Sequence, residues 1–144
     1  MRTRTAATAT ATAAVALLAA TAVPANAAAP AAVGWSVQHG TAAATGERWT
    51  EPSGGWPSST LVIEGELTNT GAGCYSVWTR FVYDLAPGPV RKHAEICGPG
   101  SVEVDVRQSY WITTTGSITV CRGTEDTSDC GTWRSVTTWP ANRR

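Results

Sequence analysis

His39 and His93 are the only two histidines in the chain, and acid–base or nucleophilic chemistry near neutral pH would draw on them first. Neither stands in a nucleophile motif, and the sequence has no Gly-x-Ser-x-Gly elbow. His93 lies between Arg91 and Glu95 in an alternating segment and reads as an exposed residue on the polar face of a strand. His39 precedes Gly40 and reads as a strand-end or turn residue. Glu64 and Glu66 share one face of a predicted strand, which sets them about 7 Å apart, within the range of an inverting glycosidase pair. Strand-surface acids at that spacing are commonplace, and no other acid, base or nucleophile converges on them. The run Glu125-Asp126-Thr127-Ser128-Asp129 offers carboxylates of the kind calcium takes, but without EF-hand spacing, and a solvated hairpin tip explains it equally well. No catalytic residue, metal ligand or cofactor site is therefore assigned, and the chain is not expected to be an enzyme.

The four cysteines, Cys74, Cys97, Cys121 and Cys130, contain no Cys-x2-4-Cys pair, which argues against a zinc site. An even count in a small exported chain reads instead as a disulfide framework. Three pairings are possible. Cys74–Cys97 with Cys121–Cys130 is favoured because each bond would join neighbouring strand-like segments.

Tryptophan is the stronger signal. The chain has seven, Trp35, Trp49, Trp56, Trp78, Trp111, Trp133 and Trp139. A small core accommodates about two or three, since each indole N–H needs a partner, so others are expected at the surface. Trp133 and Trp139 share parity with Ser135 and Thr137 on the last predicted strand, and Tyr110-Trp111 precedes another. Tyr110, Trp111, Trp133 and Trp139 thus form a candidate aromatic strip, suited to stacking on sugar rings or anchoring a protein partner. The alternative is that these rings cap the open ends of the fold and pack against the coil of residues 40–58.

The elements that must position these side chains are strands. From Ser59 onward, period-2 segments recur between turn residues: Leu61, Ile63 and Leu67 against Glu64 and Glu66; Tyr75, Val77, Phe81, Tyr83 and Leu85 against Ser76, Arg80 and Asp84; Val90, Ala94 and Ile96 against Arg91, His93 and Glu95. Val102, Val104 and Val106 against Glu103, Asp105 and Arg107 is the clearest alternation, and Ile118-Val120 and Trp133 to Trp139 follow. No stretch after the leader carries a helix-period apolar face of useful length. The expected fold is all-β, a two-layer antiparallel sandwich of six or seven strands stapled by disulfides, with immunoglobulin-like topology as one option. Cys74, Trp78 and Cys97 resemble the Cys…Trp…Cys order of immunoglobulin domains, but at a much shorter spacing that would keep the bond within one edge of the fold.

Arg2 and Arg4 precede the apolar run of residues 13–20, and Pro24 and Ala25-Asn26-Ala27 follow, as in a secretory signal peptide cut after Ala27. Residues 28–58 read as a flexible Ala/Pro leader and an irregular, Gly- and Pro-rich segment, apart from a short strand around Trp35-Ser36-Val37-Gln38; residues 59–144 form the sandwich body. Removing residues 1–27 from the 144 leaves 117, one domain's worth, with no membrane span. That part has 9 basic and 11 acidic residues, a net charge that argues against a nucleic-acid partner. Arginine outnumbers its single lysine, Lys92, a bias that suggests a GC-rich bacterial source. The functional expectation is a noncatalytic extracellular binding module for a glycan or a protein. The second expectation is a secreted hydrolase or protease inhibitor presenting residues 86–92 or Cys121-Arg122-Gly123.

Overall fold

The computed structural model describes residues 31–54 and 58–139. The leader, its cleavage site and Trp56 lie outside them. The described chain is all-β, with strands β1 (Val33–His39), β2 (Ala42–Pro52), β3 (Ser59–Asn69), β4 (Cys74–Tyr83), β5 (Ala86–Pro87), β6 (Arg91–Cys97), β7 (Gly100–Tyr110), β8 (Thr115–Arg122) and β9 (Arg134–Ser135). One sheet runs β1-β2-β3-β7, and in the other β4 is flanked by β8 and β9 on one side and by β5 and β6 on the other. Every pairing is antiparallel. The expected sandwich stands, with two strands beyond those expected, β2 and the two-residue β5.

Alternation along each strand sorts the core from the surface. Leu61, Ile63, Leu67, Val104 and Val106 of one sheet meet Tyr75, Val77, Phe81, Ile118 and Val120 of the other in a single buried cluster. Their outward neighbours Glu103, Asp105 and Arg107 stay in water. Trp35 lies on the inner face beside Gly46, which pairs with Gly65. A Cβ at Gly65 would come within 2.8 Å of the Trp35 ring. Gly65 therefore leaves room for the indole, while a Cβ at Gly46 would run into the β3 backbone at Glu64 and Gly65. The indole N–H points to the carbonyls of Glu47 at 3.2 Å and Glu64 at 3.3 Å.

The irregular coil expected over residues 40–58 is corrected: β2 occupies Ala42–Pro52. Gly40, at φ +57, does form a turn, but Gly46 lies within β2 and makes room for the β3 backbone at Glu64 and Gly65. The last strand is also shorter than its alternation suggested. Only Arg134 and Ser135 pair with β8, so Trp133 and Trp139 do not share the face of one strand.

Both favoured disulfides are present, Cys74–Cys97 and Cys121–Cys130. Cys74 and Cys97 are directly opposite partners on β4 and β6, so the bond lies within one sheet, unlike the bond between sheets in antibody domains.

Candidate functional site

The antiparallel order sends the chain back and forth between two ends. At one, Asn69 is almost fully buried, and its amide donates to the carbonyls of Gly71, Gly73 and Gly98, each at 2.9 Å. Its Oδ1 accepts from the Thr41 hydroxyl at 2.8 Å and from the Gly71 N–H at 3.1 Å. One buried side chain thus ties three connections together. The Tyr75 hydroxyl accepts from the Thr41 N–H, and His39 Nε2 lies 2.7 Å from Asp129 Oδ1, joining the β1 end to the Cys121–Cys130 hairpin.

At the other end the tips of β4–β5 and β7–β8 meet. The Thr113 hydroxyl donates to Asp84 Oδ1 at 2.5 Å, and the Thr114 N–H closes a turn on the Trp111 carbonyl at 2.9 Å. Leu85 and Ile112, the neighbours of the bonded pair, are 94% and 96% exposed, and Trp111 is 46% exposed. Beside them Tyr110, Ile112, Trp139, Thr50 and Ser59 line a groove of about 380 Å³. The Trp139 indole donates to the Tyr110 hydroxyl at 3.1 Å, and both rings pack on the core. Arg48 is buried beneath, its guanidinium 4.8 Å from the Trp139 ring centre and donating to the carbonyls of Val136 and Thr138. Burial lowers its pKa, and its Nε has no hydrogen-bond partner among the described residues. The C-terminal segment is therefore held across the open end by a cation that gives up hydration to stay there.

Of the four strip residues, the structure brings together Tyr110 and Trp139 and sets Trp111 next in sequence on the adjoining turn. Trp133 is elsewhere. It lies 4.3 Å under the Arg80 guanidinium on the outer side of the other sheet, near the strand that carries Trp78. Sequence parity misplaced it because Val136 and Thr137 still bond to Gly116 of β8, whereas Thr138 and Trp139 beyond them meet Arg48.

His93 departs from its expected exposed position. Val77 faces Ala94 and Trp78 faces Lys92, so β6 carries one extra residue, and His93 occupies that bulge. It is half-buried, with Nε2 2.7 Å from the Thr79 hydroxyl. Burial, then the neighbouring charge of Arg91, pushes its pKa below the ordinary 6.5, with Asp105 opposing. Its partner Thr79 is 1% exposed.

Glu66 is exposed on β3, and other sequence candidates are engaged in the fold. Arg107 bridges Glu64 and Glu51, and Glu51 also accepts from the Trp49 indole. In the acidic loop, Asp126 accepts from the Ser128 N–H and hydroxyl, while Asp129 meets His39 and Arg122. Lys92 is tied to Glu95 and to the Thr124 carbonyl, Ala86-Pro87 pairs with β4, and Arg122 lies over Tyr75. A polar groove of about 660 Å³ runs past Ser36, Gln38, Thr132 and Arg134, with His39 on its wall already bound to Asp129.

No family model matches the chain, and no curated protein or solved structure is similar to it. What the molecule does must be inferred from these surfaces. The apolar loop end is the one where large side chains are displayed without being used by the fold.

Proposed function

We propose that the chain is an exported, noncatalytic binding module that attaches to an extracellular surface through its apolar loop end. Export rests on the leader sequence and fits two formed disulfides. The observation that carries the reading is the grouping of Leu85, Ile112 and Trp111 on two turns joined by Thr113 and Asp84, beside the Tyr110–Trp139 groove. Apolar side chains gathered at one place and left in water mark an interaction surface more often than scattered ones do. A rigid scaffold behind them lowers the entropy lost on binding, and the Asn69 hub and both disulfides supply that rigidity from the far end.

The test is binding of the exported, disulfide-bonded protein to a glycan array, insoluble polysaccharides and lipid vesicles, read by tryptophan fluorescence and repeated with Ile112→Asp. Binding that the substitution abolishes, with the melting temperature unchanged, supports the reading. Binding that the substitution leaves intact, or no binding to any of these surfaces, overturns it.

A further inference from the structure

We infer that the surface this end engages is lipid: Leu85, Ile112 and Trp111 form a wedge that enters the interfacial layer of a bilayer. The inference rests on the loop end being the docking surface and names what docks there.

Leu85 provides the first reason. Asp84 and Leu85 connect β4 to β5 as a two-residue turn with φ of +45° and +71°. Such turns ordinarily take Asn-Gly or Asp-Gly, because a Cβ in the left-handed region crowds the backbone. Leucine there is strained, and at 94% exposure it recovers no packing within the molecule. A strained residue held outward by a well-defined turn points to a contact outside the chain. Its neighbour across the Thr113–Asp84 bond, Ile112, is equally bare.

Shape and area select the partner. The large hydrophobics left exposed among the described residues are Leu85, Ile112, Trp111 and Val90, and the first three sit on these two tips. Two tips can bury a few hundred Å², well below the roughly 800 Å² per side of a standard protein interface. A sugar ring stacks on a flat aromatic face; Trp111 is 46% exposed, whereas the two barest side chains of the tips, Leu85 and Ile112, offer none. A bilayer needs no complementary surface and accepts convex apolar tips, with tryptophan placed at the level of the headgroups. Thr113 and Thr115 are exposed and uncharged behind the tips, and the one carboxylate there, Asp84, is engaged by Thr113.

The experiment is co-sedimentation of the exported, disulfide-bonded protein with vesicles of phosphatidylcholine alone and of phosphatidylcholine mixed with phosphatidylglycerol, with brominated acyl chains as a depth probe. The expected result is partitioning into both vesicle types with quenching of tryptophan fluorescence. Leu85→Gly and Ile112→Asp should each weaken it at least about tenfold, the loss expected from removing one inserted aliphatic side chain. Leu85→Gly should at the same time raise the melting temperature, which separates lost binding from lost folding. Failure to partition, partitioning only into anionic vesicles, or indifference to both substitutions overturns the inference. Glycan binding lost in Ile112→Asp without any vesicle binding would leave the docking reading standing and remove lipid as its partner.

Discussion

At the disulfide end, three turns are gathered by one buried amide, Asn69, and two cystines clamp the neighbouring segments. At the loop end, two turns are joined by a single hydroxyl–carboxylate bond, one of them has two non-glycine residues at positive φ, and large apolar side chains face water. Polar groups at the first end are satisfied internally, and apolar groups at the second are left for something else. On the proposed reading the binding surface lies at the loop end and the polar hub at the other, and substitutions should separate binding from stability.

The largest effect is expected at the disulfide end. Asn69→Ala leaves three carbonyls and the Thr41 hydroxyl without their partner and should cost about 3 kcal/mol in chemical denaturation. A loss comparable to a surface substitution would mean that the hub is not what holds this end. Arg48→Leu should cost about 2 kcal/mol, because the Val136 and Thr138 carbonyls lose their donor and Trp139 its cation. It should also expose residues 136–139 to protease before global unfolding, whereas unaltered cleavage there would show that Arg48 is not their anchor.

Leu85→Gly should change stability in the other direction, by about 1 kcal/mol, since glycine adopts the +71° φ without strain. Destabilisation would show that Leu85 packs in solution and that the contrast between the ends is weaker than drawn. The smallest effect is a pH dependence belonging to neither end. Folding lowers the pKa of His93, so the unfolded chain takes up the proton more readily. The His93 contribution is complete above the ordinary value of 6.5 and is lost as the pH falls from there through the lowered value of the folded state. His93→Gln should flatten the stability profile around that pH, and an identical slope in the variant would assign the titration to other groups.

Much of the scaffold was legible because the signals were local. Val102 to Arg107 alternates without interruption, and short-range cysteine spacing favoured the two bonds that form. β2 was hidden because Gly46 looks like a turn residue, yet its missing side chain is required by the close approach of the β3 backbone at Glu64 and Gly65. His93 was misjudged because a bulge advances the parity of β6 by one, and nothing in Arg91-Lys92-His93-Ala94 marks where the extra residue falls. The strip of Tyr110, Trp111, Trp133 and Trp139 divided for a similar reason. Arg48, distant in sequence, draws Trp139 away from the strand edge that Trp133 follows.

The amino-acid sequence by itself determined the all-β class, the favoured cystine pairing and the excess of tryptophan over what a small core can hold. These depend on composition, period and nearest neighbours along the chain. Which tryptophans close the sandwich and which face water, where β6 slips its register, and that Leu85 and Ile112 share one end were decided only by the tertiary structure. Each of those depends on which distant backbone atoms come into contact, and strand pairing alone sets that.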